Sequence, residues 1–422
     1  MFWWLVAGCV HQQPLLPPGD QGEALRAPPK VLWQTGVGLT SYRSGLVVLH
    51  DQVLVPSQGA AWDGEAEDTE DGLWLLDKRT GVVEDQFVPP GDGERDVNGV
   101  SVTSSSLIVP TDQGMVHAFA PDGSILWSAD VGGDVEGAPA LSDVNGDGVP
   151  DIGAAVEKGS FRVLDGLTGA ELYAVDVGKD NPFAQAAAAD VTGDGIAEWF
   201  VATRRKARLR AIDGETGEVL WTLTDGQGEG GAKSPPLVFD ADGDGELEVA
   251  ALTRTTLMVA SAATGEVGLL FRRDYGGTML GLGYYPDGQC ILVGNSHARA
   301  GLMCIGLDGG VVFDVPLLAG RISASPVVGD VDGRPGDEVV IATEAGTVEA
   351  FDSAGHLVWR WHAGSAIECS ATLADLTGDG RNEVLVASHD GMITALRTRG
   401  SAADTPSYWR VDPQQTGAVH EP

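Results

Sequence analysis

The sequence predicts an all-β chain: a single eight-bladed β-propeller of four-stranded blades, its last blade closed by an N-terminal strand, with seven blades as the alternative count. Two repeated phrases, running in phase, predict it. The first is a nine-residue acidic loop. Asp143, Asn145, Asp147 and Asp151 occupy its first, third, fifth and ninth positions, and Gly146 and Gly148 permit the tight turn. The pattern returns at Asp190, Thr192, Asp194 and Glu198, at Asp240, Asp242, Asp244 and Glu248, and at Asp375, Thr377, Asp379 and Glu383. A fifth copy, with Asp330, Asp332 and Glu338, has Arg334 where the fifth-position acid belongs. First positions at 143, 190, 240, 330 and 375 give a period in the forties, with one loop missing between 240 and 330. Such a period, built from short strands, marks propeller blades.

The second phrase is an apolar strand, an Asp turn with Thr-Gly or Asp-Gly, and a strand that often carries Trp. It runs through Asp77 to Gly81, Asp122 to Trp127, Asp165 to Tyr173, Asp213 to Trp221, Ala263 to Val267, Asp308 to Phe313 and Asp352 to Trp359. Asp bonds its own backbone to start the turn, and Gly supplies positive φ. These are seven hairpins between third and fourth strands. An eighth fourth strand is missing from the final blade, Ile367 to Leu396, whereas Val31-Leu32-Trp33 resembles Val219-Leu220-Trp221 with no blade before it. Residues 31–36 are therefore expected to close the last blade and remove exposed sheet edges. The expected blades are 38–88, 96–131, 135–178, 183–225, 231–271, 276–316, 320–362, and 366–397 with 31–36. Small residues at Ala186–Ala189 and Ser323–Ser325 suit inner strands around a crowded channel. The fixed place of Trp33, Trp127, Trp221 and Trp359 in the repeat reads as packing between blades.

The acidic loops predict metal. A hard cation such as Ca²⁺ takes six to eight oxygens, which a short Asp/Asn/Gly loop supplies. An EF-hand would need Glu at position twelve, where Ala154 stands inside the apolar run Ile152 to Val156, so each loop leads into a strand. Crowded carboxylates repel one another without a counter-cation. Four intact loops are expected to hold Ca²⁺, and Asp330–Glu338 is a degenerate fifth. No loop carries an adjacent base or nucleophile, so the metal is expected to be structural. Blades 1, 2 and 6 lack a loop.

The net charge of −35 on 422 residues exceeds what five divalent ions would neutralise. Such a surface repels nucleic acid and anionic membranes. The eight His are scattered, and neither a Gly-x-Ser-x-Gly elbow nor a Cys-x-x-Cys pair occurs, so no catalytic set is expected. Cys290 and Cys304 flank the hairpin turn Asn295 to Gly301. A disulfide and two small buried thiols are both open there. Blade 4 carries Arg204 and Arg205, and Arg273 follows blade 5. On the face opposite the acidic loops, these are candidate contacts for an anionic partner, opposed to the acidic insert Trp62 to Asp71; solvated surface charge is the alternative.

Val6-Ala7-Gly8-Cys9 resembles the lipobox of bacterial lipoproteins, which implies a signal over 1–9 ending in a lipidated Cys9, a Pro-rich tether over 10–30, the propeller over 31–417 and a tail over 418–422. Only eight residues precede Cys9, short for an export signal, so an incidental cysteine stays open. No other stretch is apolar and long enough to span a bilayer. The acidic loops resemble the FG-GAP/VCBS repeats of integrin-type propellers, whose equivalent residues bind calcium. The Asp-x-x-Thr-Gly-x-x-x-Trp hairpins resemble PQQ-like propeller repeats. Tyr408-Trp409 through Asp412-Pro413 to Thr416-Gly417 resembles the C-terminal signature of exported bacterial members.

The resemblance implies a non-enzymatic, calcium-stabilised propeller, exported to the periplasm, outer membrane or cell surface, or else secreted. It would bind a protein or glycan as a monomer, with no nucleic-acid partner and no membrane contact beyond the lipid anchor. Two alternatives follow. One is an assembly-factor lipoprotein like the propeller subunit of the outer-membrane barrel-assembly machinery. The other is a propeller enzyme, a polysaccharide lyase or a PQQ-type dehydrogenase; the latter carry adjacent cysteines that this chain lacks.

Overall fold

A computed structural model describes residues 25–402 apart from 41–44, 60–69, 92–94, 158, 179–184, 205–207, 225–233, 274–278, 286–287, 296–300 and 317–319. Cys9, Arg205, most of the acidic insert and the C-terminal signature lie outside these residues. The described chain is strand and turn without a helix, arranged as eight antiparallel four-stranded sheets. It is an eight-bladed β-propeller.

Each blade runs outward from a short inner strand, and the inner strands of neighbouring blades meet around the axis. Blade 4 shows why. Its inner strand Ala187–Ala189 is three buried alanines, next to Glu198–Thr203, Arg208–Ile212 and an outer strand Val219–Thr224 that alternates between exposed and half-buried residues. Small side chains let this inner strand pack closely against its neighbours, and an outer edge facing water needs only one apolar face. The other complete blades span Val47–Phe87 (blade 1), Ser101–Asp130 (blade 2), Ala140–Asp176 (blade 3), Leu237–Arg272 (blade 5), Leu280–Pro316 (blade 6) and Val327–His362 (blade 7).

Blade 8 is closed by the other end of the chain. Thr372–Ala374, Arg381–Ala387 and Met392–Ser401 come from the C-terminal part, and Lys30–Gly36 adds the fourth strand, pairing Lys30 with Arg397 and Gly36 with Met392. The ring thus leaves no unpaired strand between its first and last blades.

Neighbouring blades are joined by a ring on a glycine. The outer-strand Trp127 of blade 2 covers Gly169 in the turn of blade 3, where a Cβ would lie 2.5 Å from the indole. The same pairing sets Phe87 on Gly123, Tyr173 on Gly217, Trp221 on Gly265, Phe313 on Gly355 and Trp33 on Gly81, and Leu269 takes the ring's place over Gly309. All seven glycines have φ between +69° and +82°, so both the turn and the packing require Gly. The indole N–H groups of Trp33, Trp127 and Trp221 donate to the carbonyls of Lys78, Gly166 and Ala262, each at 3.0 Å. Trp residues here are inter-blade packing. The seam from blade 7 to blade 8 differs, because blade 8 has no hairpin between its third and fourth strands.

Candidate metal loops

All five acidic loops join the inner strand of a blade to its second strand. In blade 3 the first-position Asp143 accepts N–H from Gly146 (2.8 Å) and Asp147 (3.2 Å) on Oδ1, and from Gly148 (2.8 Å) on Oδ2. Asp190 takes Gly193 and Gly195, Asp240 takes Gly243 and Gly245, and Asp375 takes Gly378, Asp379 and Gly380. One carboxylate thus shapes the loop by charge-assisted bonds to its own backbone. The N–H bond from Gly245 leads those that hold Asp240 below the usual carboxylate range.

The ninth position turns inward at the start of the second strand. Glu198, Glu248, Glu338 and Glu383 each accept the second-position N–H, at 2.9–3.0 Å. Asp151 does the same for Val144, and its Oδ1 also takes the Gly166 N–H (2.9 Å) of the same blade's outer turn. The acidic loops and the Thr-Gly turns therefore share one face of the ring. Burial pushes these carboxyl groups up, to about 8 at Glu338 and about 7 at Glu383; Asp151, Glu198 and Glu248 are raised for the same first cause. Nearby loop carboxylates raise them further.

The donor set fits a hard divalent cation. In blade 5, oxygens of Asp240, Asp242 and Asp244 lie within 4.8 Å of one another. In blade 8, Oε1 of the fully buried Glu383 and Oγ1 of Thr377 are buried with no hydrogen-bond partner. A cation would satisfy both and relieve the repulsion. Blade 8 also has Arg397, 3.6 Å from Asp379 and 4.0 Å from Glu383, which supplies part of that charge from the loop's flank.

Blade 7 is balanced differently. Its Asp330, Asp332 and Glu338 oxygens also fall within 4.8 Å of one another. Arg26, from the segment ahead of the closing strand, forms an ion pair with Asp332, and Arg334 at the fifth position donates its backbone N–H to Asp332 (2.7 Å).

The other candidate residues separate. Cys290 and Cys304 are bonded as a disulfide between neighbouring strands of blade 6, and Cys369 is a buried free thiol. Arg273 is paired with Asp314 at 2.9 Å across to blade 6, which ties up one of the three arginines of the expected anionic contact. Arg204 is exposed in the turn after Thr203. Arg26 was missed by reading the sequence, because the only local signal was one cation in a Pro-rich stretch.

A family model described as PQQ_2, outer membrane protein assembly factor BamB, matches residues 87–313, just over half of the chain. BamB from Moraxella catarrhalis is similar in fold at 15% identity and TM-score 0.65, over 87% of this chain and 99% of that one. The quinohemoprotein alcohol dehydrogenase ADHIIG from Pseudomonas putida HK5 matches at 13% identity and TM-score 0.64, over 91% of this chain and 78% of that one. Saccharomyces cerevisiae Sqt1 matches at 12% identity and TM-score 0.64, over 87% and 99%. No curated protein matches the sequence.

Proposed function

The chain belongs to the PQQ_2 family, described as outer membrane protein assembly factor BamB, and on that premise we propose that it is a non-enzymatic docking propeller serving outer-membrane protein assembly, with FG-GAP/VCBS-like loops that hold structural Ca²⁺. The family match carries this reading. The same propeller architecture is shared with quinohemoprotein dehydrogenases, so the fold alone does not choose between them. What favours the docking role is the chain's own chemistry: no adjacent cysteines, and acidic loops without a base or nucleophile beside them.

In this reading Cys9 anchors the ring to the membrane surface and residues 10–24 give it reach. Arg204 lies in the turn after the second strand of blade 4, on the face away from the acidic loops. That face takes a protein partner. Asp143, Asn145, Asp147 and Asp151, with their counterparts in blades 4, 5 and 8, would supply the calcium oxygens, and the ion stiffens the hairpin that carries each second strand.

The test is complementation. In a bacterium lacking its own factor of this family, the full-length chain is expected to restore the level of folded outer-membrane barrels, with a Cys9→Ala chain restoring less. An unchanged barrel level, together with dye-linked alcohol oxidation by the chain reconstituted with pyrroloquinoline quinone, would reject docking in favour of the enzyme.

A further inference from the structure

The seam between blades 7 and 8 is the one that the ring-on-glycine joint does not serve, and the degenerate acidic loop lies on it. In the blade 3, 4, 5 and 8 loops the first Asp satisfies its Oδ2 with an N–H from its own loop. In blade 7, Oδ2 of Asp330 instead accepts the N–H of Ser401 (2.8 Å), at the end of the third strand of blade 8. The Asp330 carbonyl accepts Nδ2 of Asn382 (3.0 Å), which also donates to the Ser401 carbonyl (2.9 Å). The backbone approach is close: a Cβ at Gly333 would stand 2.8 Å from the Arg399 carbonyl, and one at Gly400 would overlap the Asp330 carbonyl.

Arg26 enters this joint from the opposite end of the chain. Its N–H donates to the Val358 carbonyl (3.0 Å) on the outer strand of blade 7, and its guanidinium pairs with Asp332 and reaches the Asp332 carbonyl at 3.4 Å. The Asp332 side chain is only 4% exposed and that of Arg26 20%. A carboxylate so far from water needs a partner, and a guanidinium stays charged at any physiological pH. Four residues later the chain begins the strand that closes blade 8.

We infer that Arg26 is the resident cation of the blade-7 loop: its guanidinium stands where the neighbouring loops would hold a divalent ion, and it clasps the segment ahead of the closing strand across the last seam of the ring. The inference rests on the metal reading of those neighbouring loops. Two cations that compete for one set of carboxylates oppose each other reciprocally, so a divalent ion entering the blade-7 loop releases the clasp, and the clasp keeps the ion out. The N-terminal attachment of the ring thereby becomes sensitive to divalent-ion concentration.

The experiment is calorimetric titration of Ca²⁺ into the full chain, into Arg26→Gln and into Arg26→Gln/Asp332→Asn. Arg26→Gln is expected to bind about one more equivalent than the parent chain, and the double variant to lose it. If the parent binds several equivalents and Arg26→Gln adds none, the clasp inference fails alone. If the parent binds none, the metal reading of the loops fails with it. Should Arg26→Gln not fold, hydrogen exchange on the parent chain replaces it. Protection of the Arg26 amide, bonded to the Val358 carbonyl, is then expected to fall as Ca²⁺ rises through about 1 mM, the range of weak oxygen sites, while the ring strands keep theirs. Unchanged or increased protection at that amide would overturn the proposal.

Discussion

The loops of blades 5 and 7 share a nine-residue frame and differ in what balances it. In blade 5 the fifth position is Asp244, and the first Asp bonds only within its own loop. The space around Gly243 is open, with nothing within 4 Å of where a Cβ would be. In blade 7 the fifth position is Arg334, the first Asp bonds to blade 8, and Gly333 is pressed against the Arg399 backbone. One frame leaves an acidic cradle open to water, and the other makes a joint between the ends of the ring. Losing one acid matters less than where the blade stands: blade 7 precedes the one blade whose third and fourth strands are not joined by a hairpin.

The largest effect that separates the two should come from the same substitution in both. Gly243→Ala and Gly333→Ala each place a side chain at positive φ, φ +78° and +80°, costing roughly 1–2 kcal/mol. Gly333→Ala also drives a Cβ into a backbone carbonyl and should cost about 2 kcal/mol more. Urea unfolding of the two variants measures this, and equal losses would erase the distinction between cradle and joint.

A second effect comes from a blade with no acidic loop. His117 in blade 2 is 1% exposed, its Nδ1 bonded to Ser128 Oγ at 2.8 Å, and burial pulls its pKa down to about 4. The unfolded chain takes up this proton near 6.5 and the folded chain does not, so stability is full above pH 6.5 and falls as the pH drops toward 4. The loss should be about 2–3 kcal/mol at the acid end. Its size should be the same with Ca²⁺ or chelator present, because no acidic loop is involved. His117→Gln should flatten this limb in a pH series of melts; an unchanged limb would assign the acid sensitivity elsewhere.

Much of the fold was legible because it is periodic. The acidic loops and the Thr-Gly turns recur in phase, which counts the blades and leaves Val31-Leu32-Trp33 as the strand without a hairpin. Trp in a fixed repeat position also announced the seams, but the glycine under each ring, 36 to 48 positions away, was not readable from spacing alone. The clasp was hidden for a physical reason: Arg26 meets Asp332 across 306 residues, and nothing local in a Pro-rich stretch marks a guanidinium that will be desolvated. Arg273 was misleading in the same way. Its partner Asp314 sits in the next blade, so a surface cation by sequence is an ion-paired one in the fold.

The smallest of these effects belongs to single loops. Asp244→Asn should remove about 1.4 kcal/mol of Ca²⁺-dependent stability when the ion is tenfold above its dissociation constant. Asp332→Asn should leave the Ca²⁺-dependent part untouched, since that loop already has its cation. Paired melts with Ca²⁺ and with chelator measure both, and a Ca²⁺-dependent loss from Asp332→Asn would merge the two classes of loop.

The central claim is that the loops of blades 3, 4, 5 and 8 carry structural calcium while blade 7 carries its own arginine. Thermal melting of the full chain in chelator, followed by titration with Ca²⁺ or Mg²⁺, tests it most directly. The account predicts a rise in melting temperature that Ca²⁺ produces and Mg²⁺ does not, saturating near about four equivalents per chain. A melting temperature that Ca²⁺ leaves unmoved would contradict it and reduce the acidic loops to turn chemistry.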